Sequence, residues 1–428
     1  MNAPPVFVVD GARTPFLKSR NTPGVFTATE LALAAARPLF SRLPIDATVL
    51  DEVILGCVIP GPDECNIARI TALRLGCGVG TPAWTVQRQC ASGMQALDCA
   101  CKDIQSGRAN IVLAGGTEAM SHAPLLWKTA MVRWLSQWQK AHSPFAKLQT
   151  LRHVRPAMLA PVIGLLRGLR DPVVGLSMGE TAEILAEKFA IERSQMDGFA
   201  MRSHQRLAAA QTHHHLTEIV PIYSNEGKVY ADDDGLRSNT TMASLAKLRP
   251  VFEPAYGCVT AGNSSQISDG AAVLLLASEQ AVNDYQLPVL GRIHACAWAG
   301  VKPELMGLGP VYSTAALLQQ QNMSVGDVDY WEINEAFAVQ VQACLVAMAA
   351  TNWSLELLGL EEPLGKLDET RLNIDGGAIA IGHPVGATGA RLVLHLLHVL
   401  QQKQARCGVA TLCIGGGQGG SMMLVRDP

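Results

Sequence analysis

The stretch Thr85-Val-Gln-Arg-Gln-Cys90-Ala-Ser-Gly-Met-Gln-Ala-Leu97 changes its periodicity in the middle. Trp84 to Gln89 read as a short strand, and Met94, Leu97, Cys101 and Ile104 then recur at helical spacing. A strand that turns sharply into a helix is a joint of an α/β fold, and Cys90 sits at that joint. A thiol there faces the positive end of a helix, where backbone N–H groups and the helix dipole favour the thiolate. Ala91, Ser92 and Gly93 are small enough to let another group approach the sulfur. The pattern points to a nucleophilic cysteine, set against the commonest state of a free cysteine, which is inert core packing.

The same order of parts occurs twice. The Cys90 joint leads into a helix, then Ser106-Gly107, the apolar strand Ile111 to Ala114 and Gly115-Gly116. Later, Gly376-Gly-Ala-Ile-Ala-Ile-Gly-His383-Pro leads into a helix bearing Leu392, Val393, Leu396, Leu397, Val399 and Leu400, then the strand Val409 to Ile414 and Gly415-Gly416-Gly417. Strand, reactive-looking turn, helix, buried strand and glycine turn in duplicate predict two similar halves joined near Asn283 to Pro288. The halves are expected at 5–282 and 288–427, with an inserted loop domain at about 121–256. Regular alternation of strands and helices predicts mainly parallel pairing.

The bulk properties exclude several classes. The chain has 428 residues, 48% hydrophobic and 17% charged, enough for a large core in more than one domain. A net charge of -3 gives no general reason to bind nucleic acid, and no run of 18 apolar residues suggests a membrane span. Met1-Asn2-Ala3-Pro4-Pro5 runs straight into the strand Val6 to Val9, without the charged and apolar regions of a signal peptide. Eleven cysteines without framework spacing read as reduced thiols of a cytoplasmic protein. No metal site is expected: Cys99-Ala-Cys101 reads as helix packing, and His213-His214-His215 has no further ligands at suitable spacing.

Between Trp127 and Arg170 the chain carries eight Lys/Arg and no Asp/Glu. On a helix, Trp127, Met131, Trp134, Leu135 and Trp138 would share a face, with Lys128 and Arg133 off it. This reads equally as an amphipathic helix on an anionic membrane or partner, or as a helix packed on its own core.

Three further turns complete a chemical set with Cys90. They are Glu332-Ile333-Asn334-Glu335-Ala336-Phe337 after the strand Val328 to Trp331, Gly382-His383-Pro384, and Cys413-Ile414-Gly415 at the end of the last buried strand. Residues that follow strands in an α/β chain converge on the ligand site. His383 can take the proton of Cys90. Asn334 can hold a water or a carbonyl, and the backbone N–H groups of Cys90 and Gly415 can stabilise an oxyanion. Cys413 can move a proton to or from carbon. A hydrolase would have no use for the second thiol, and a decarboxylating synthase would want a second His in place of Asn334.

The loops C-A-S at Cys90, N-E-A-F at Asn334, G-H-P at His383 and C-I-G-G-G at Cys413 resemble those of the thiolase family over nearly the whole chain. So do G-A-R-T-P-F at Gly11, G-G-T-E-A-M-S at Gly115, M-G-E-T-A-E at Met178 and T-A-G-N-S-S at Thr260. The resemblance implies a duplicated α/β thiolase fold, two βαβαβαββ halves in five α-β-α-β-α layers, with an inserted loop domain. It implies an acyltransferase that cleaves 3-ketoacyl-CoA with CoA through an acyl-Cys90 intermediate. Cys413 would protonate the leaving acetyl carbon, and His383 with an Asn334-held water would form one oxyanion site. Met178, Leu248, Ser265 and Phe337 would line the pantetheine channel, and Arg237 would reach the CoA nucleotide. CoA is then a substrate, and no other cofactor is implied.

The basic segment, S-L-A-K-L-R-P-V-F from Ser244 and N-I-D-G-G-A-I-A-I-G-H-P from Asn373 look like the trifunctional-type β-subunit branch. That likeness implies fatty acid β-oxidation, a dimer or dimer of dimers, a hydratase/dehydrogenase α-subunit as partner, and contact of 127–170 with the inner membrane. Asn334 stands where that branch often has His. The alternatives are an acetoacetyl-CoA thiolase condensing two acetyl-CoA, disfavoured by Ser177 where many such enzymes have His, and a non-catalytic membrane or scaffold relative.

Overall fold

The structure, a computed structural model, describes residues 4–20 and 22–426. The expected end of the second half at Asp427 and the leader reading of Met1-Asn2-Ala3 lie outside the described residues. The first half contains β1 (Val6–Arg13), α1 (Ala28–Arg42), β2 (Glu52–Gly56), α2 (Ile67–Leu75), β3 (Ala83–Val86), α3 (Ser92–Gln105), β4 (Ile111–Ala119) and, after the insert, β5 (Ser268–Ser278). The insert includes α4 (Thr129–Lys140), α5 (Met178–Lys188) and α6 (Arg193–Thr212). The second half contains β6 (Gly291–Gly300), α7 (Gly309–Gln321), β7 (Tyr330–Ile333), α8 (Ala338–Ala349), α9 (Ala378–Ile381), α10 (Val385–Gln402), β8 (Cys407–Ile414) and β9 (Gln418–Val425).

The strand order β7-β8-β9-β6-β1-β5-β4-β2-β3 repeats itself about its centre. Thus β1, β2, β4 and β5 correspond to β6, β7, β8 and β9. Among the described residues, the half-sheets pair where Val6 to Val8 meet Gly291 to Ile293. They turn their inner faces to α3 and α10, and α10 touches strands of both. One apolar core mixes Met94 and Leu97 of α3, Leu392 and Leu396 of α10, and Leu412 and Leu424 of the second sheet. A second core lies under α1 and α2 on the outside of the first sheet. A third lies under α7 and α8 outside the second. The layers are therefore helix, sheet, helix, sheet, helix, as expected for the duplicated fold.

Three expectations about the strands need correction. Pairing is mixed and mostly antiparallel: β2 with β3, β2 with β4, and β7 with β8 are parallel, while β1–β5, β1–β6, β4–β5, β6–β9 and β8–β9 are antiparallel. The last strand of each half returns beside its predecessor, and hydrophobic periodicity carries no sign of direction. The strand before Cys90 ends at Val86 rather than Gln89, and the strand before Asn334 spans Tyr330–Ile333 rather than Val328 to Trp331.

Among the described residues, the second half has one strand fewer than the βαβαβαββ pattern. The counterpart of β3 is an isolated bridge between Trp331 and Leu372. Asn373 completes the pairing with its side chain: Ile333 N–H donates to its Oδ1 at 2.9 Å, and its Nδ2 donates to Ile333 O at 2.9 Å. A carboxamide thus takes the place of a strand peptide, which sequence spacing does not reveal.

The predicted aromatic face is divided. Trp127 precedes α4 and is exposed, Met131 is buried, and Trp134 and Trp138 stack at 5.5 Å while half-buried. Among residues 121–170 only Met131 and Leu165 are buried. No single described helix is long and apolar enough to cross a membrane.

Candidate active site

The chain reverses between β3 and α3 through Gln89, whose φ of +46° is rare for a residue with a side chain. Ser92 locks this bend. Its Oγ donates to Gln89 O at 2.7 Å and accepts from Arg88 N–H at 2.9 Å. Cys90 is held at the apex, one residue before the helix cap Ala91. The N–H groups of Gly415 and of Cys90 itself donate toward the Cys90 sulfur. Gly415 therefore lies at Cys90, although 325 positions apart in sequence order separate the two loops.

The thiol differs from the expected one in its acidity. Burial raises the Cys90 pKa, and the two N–H groups only partly offset this; the Glu118 carboxylate adds to the rise. Sequence shows the helix dipole but not the depth of burial, and here burial wins. At neutral pH the resting sulfur is a thiol, so the reaction needs a base.

His383 has the properties of that base. Its ring is buried, and burial, reinforced by the Arg391 cation, pushes it down to about 3. The imidazole is neutral at pH 7. Nδ1 lies 2.7 Å from Thr388 Oγ1, and that hydroxyl donates to Pro384 O at 3.0 Å. A carbonyl can only accept, so the hydroxyl hydrogen is committed and Thr388 accepts from Nδ1–H. This leaves Nε2 as the unprotonated nitrogen. Asn334 Nδ2 approaches it at 3.4 Å, and Asn334 Oδ1 has no hydrogen-bond partner among the described residues.

Cys413 is the penultimate residue of β8 and is buried. Burial raises its pKa well above the ordinary thiol value, with the neighbouring Cys90 and Cys344 sulfurs adding to the effect. The structure thus brings Cys90, Cys413 and Gly415 to one place, and pairs Asn334 with His383. Cys90 packs against an apolar cluster that contains Val385, two positions beyond His383.

The channel residues fall into three settings. Met178 Sδ lies 3.3 Å from where a Cβ on Gly415 would stand, so it borders the cysteines. Ser265 N–H donates to Ala336 O at 2.9 Å, and Ser264 pairs with Phe337, so T-A-G-N-S-S runs along N-E-A-F. Phe337 meets Phe252 edge to face at 6.0 Å. Leu248 packs against the same apolar core as Phe337, beside Gly262. Arg237 is placed instead beside Lys18 and His204, and its N–H donates to His204 Nδ1 at 3.2 Å. Burial, with the Arg237 and Lys18 cations, pushes His204 down to about 4.

Two supporting residues were not singled out from sequence. Thr388 fixes the tautomer of His383; its place one turn into α10 was the available signal. Glu118, inside the quoted G-G-T-E-A-M-S, is fully buried and accepts from Val58 N–H at 2.9 Å, Ile59 N–H at 3.0 Å and Gly386 N–H at 3.0 Å. It ties the loop after β2 to the start of α10. A buried acid inside a glycine-rich motif could have been marked as a backbone anchor.

Comparison with known proteins agrees with this geometry. Residues 6–280 match the family description "Thiolase, N-terminal domain" and 287–426 match "Thiolase, C-terminal domain". A β-ketoadipyl-CoA thiolase of Acinetobacter baylyi is 37% identical over 98% of this chain and 99% of its own length. A 3-ketoacyl-CoA thiolase of Salmonella newport is 34% identical over 98% of this chain and 96% of its own. The structure of human mitochondrial 3-ketoacyl-CoA thiolase in complex with CoA superposes with a TM-score of 0.85 at 34% identity, covering 99% of this chain and 98% of that one. Two matched domains, full-length relatives and a shared fold place this chain in the thiolase family.

Proposed function

We propose that this protein is a 3-ketoacyl-CoA thiolase, an acyltransferase that shortens 3-ketoacyl-CoA by thiolysis in fatty acid β-oxidation. The observation that carries the reading is the meeting of Cys90, Cys413 and the Gly415 N–H, with a neutral, oriented His383 beside Asn334. His383 Nε2 takes the Cys90 proton as the sulfur adds to the 3-keto carbon. The oxyanion that forms beside the Cys90 sulfur is held by the backbone N–H groups of Cys90 and Gly415, and the enolate-like oxygen of the leaving acetyl-CoA by the protonated imidazole and a water on Asn334. The bond between carbons 2 and 3 breaks, and carbon 2 takes the proton of Cys413 as acetyl-CoA leaves. A thiol with a strongly raised pKa releases its proton only to a base as strong as that carbanion. The acyl group remains as a thioester on Cys90. The Cys413 thiolate then takes the proton of an incoming CoA thiol, which attacks the thioester; Cys90 leaves as a thiolate and takes its proton back from His383. CoA is a substrate, and these steps need no metal or organic cofactor.

Met178, Ser265, Leu248 and Phe337 are assigned to the pantetheine arm, and Arg237 with Lys18 to the anionic nucleotide end. The wall beside Cys90 is built from apolar side chains, which favours an alkyl acyl group over the carboxylate-ended substrate named for the Acinetobacter relative. Testing CoA-dependent cleavage of 3-ketoacyl-CoAs from about four to about sixteen carbons, with β-ketoadipyl-CoA alongside, decides the matter. Cleavage of none of them would overturn the reading.

The reading extends to the insert. Leu125, Leu126, Trp127, Leu135, Ile163 and Leu166 are exposed in a segment whose charges are all basic. Apolar side chains among Lys and Arg suit an anionic lipid surface. We assign the protein a peripheral place on the cytoplasmic face of the inner membrane. β3, bordered only by β2, offers an open edge for self-association as a dimer or dimer of dimers.

A further inference from the structure

The insert segment 121–170 is exposed along most of its length, yet it sends Leu165 into the apolar cluster against which Cys90 packs. Leu165 lies on the short helix Gly164–Gly168 and is 9% exposed, while its neighbours Ile163 and Leu166 are 47% and 59% exposed. Leu165 forms a buried cluster with Met120 and Val385, against which Cys90, Val58, Ile59 and Leu169 pack. The same helix is tied to the CoA side of the site. Met178 N–H donates to Leu169 O at 3.0 Å, and Arg170 pairs with Ser177. Met178 itself borders Gly415.

The other members of this cluster belong to fixed parts of the fold. Val58 and Ile59 are pinned by Glu118, Met120 directly follows β4, and Val385 begins α10. Leu165 and Leu169 come from the segment that the two halves do not share. Cys90 packs against this cluster, which therefore supplies apolar surface next to the residue that would carry the acyl group. We infer that Leu165, supported by Leu169, is the wall that the insert adds to the acyl site and sets which chain length the enzyme accepts. The inference rests on the thiolase reading and names the part of the insert that selects the substrate.

The experiment compares kcat/KM for a series of straight-chain 3-ketoacyl-CoAs in wild type, Leu165→Ala, Leu165→Phe and the outward control Leu166→Ala. Leu165→Ala raises the ratio of long-chain to four-carbon activity about tenfold, the discrimination expected when an apolar pocket gains room for methylenes. Leu165→Phe lowers the ratio by a similar factor, and Leu166→Ala leaves it unchanged. A ratio that stays at the wild-type value in Leu165→Ala, or moves equally in Leu166→Ala, overturns the inference. The Ala variant carries the test if the Phe variant does not fold. Failure of the wild type on every chain length would instead overturn the thiolase reading, so the two failures are distinguishable.

Discussion

His383 Nδ1 and Thr388 Oγ1 lie 2.7 Å apart, and the Thr388 hydroxyl is already committed to Pro384 O. This pair decides which imidazole nitrogen faces Asn334. Without it the ring could carry its proton on Nε2 and would be unable to take another from Cys90.

Replacing Thr388 by Val removes that control while keeping the shape of α10. We expect kcat to fall about tenfold, equivalent to ~1.4 kcal/mol of transition-state stabilisation. Thr388→Ser restores the hydroxyl and most of the rate. A Val variant with wild-type kcat and an unchanged pH profile would show that Thr388 does not orient the base.

The two catalytic thiols should separate in half-reactions. Cys90→Ala loses both cleavage and condensation. Cys413→Ala still forms an acyl-enzyme, seen as a mass increase on the intact protein, but exchanges the acetyl-CoA methyl hydrogens with solvent deuterium far more slowly. Equal loss of acylation and exchange in Cys413→Ala would count against its role as the acid for carbon.

The Cys90 pKa is raised by burial, so its neutral form is favoured. Inactivation by iodoacetamide, which reacts with the thiolate, should therefore keep rising with pH beyond the range of an ordinary cysteine. A plateau reached below pH 7 would mean that the thiolate is the resting form.

Stability should depend on pH through a buried charge network that does not include the two cysteines. Arg13 pairs with Asp233 at 2.7 Å and Glu218 at 3.3 Å, and Glu218 accepts from His395 at 3.0 Å. Burial works against the His395 cation, but Glu218 and Asp375 outweigh it and raise the pKa from 6.5 to about 10. That contribution is complete below about pH 6.5 and is lost as pH rises through about 10. Burial would raise Glu218, yet His395 and Arg13 outweigh it and hold it well below the usual range. Its contribution is present above the ordinary Glu pKa and is lost as pH falls toward the folded value. The Tm of the wild type should therefore decline between neutral pH and 10, and His395→Gln should flatten that decline. Arg13→Leu leaves buried Asp233 without its cation and Glu218 with His395 alone, and should cost about 3–5 kcal/mol in denaturant unfolding.

The basic insert should sediment with vesicles rich in anionic lipid at low salt and release as salt screens the charge. No sedimentation at low salt, or equal binding to neutral vesicles, would sink the membrane assignment.

Much of this was legible in the chain. The paired periodicity changes at Cys90 and His383 revealed the duplication, and four reactive turns revealed the site. Strand direction was not legible, because alternation of apolar residues is the same in either sense. The side chain of Asn373 standing in for a strand could not be read from spacing. Nor could the protonation state of Cys90, since a local stretch shows a helix dipole but not how deeply distant segments bury the sulfur. Leu165 was hidden among many apolar residues of the insert, all of which look alike until the fold turns one of them inward.

The nucleophile and its base start the two central helices, α3 and α10, and these helices touch backbone to backbone. A Cβ on Gly93 would lie 2.8 Å from Gly386 O, and one on Gly389 would lie 2.6 Å from Met94 N. Close main-chain contact between the two helices thus helps to set where Cys90 and His383 stand relative to each other. Chemistry is the rigid dimension of this protein. The acyl wall proposed at Leu165 comes from a segment outside that helix pair.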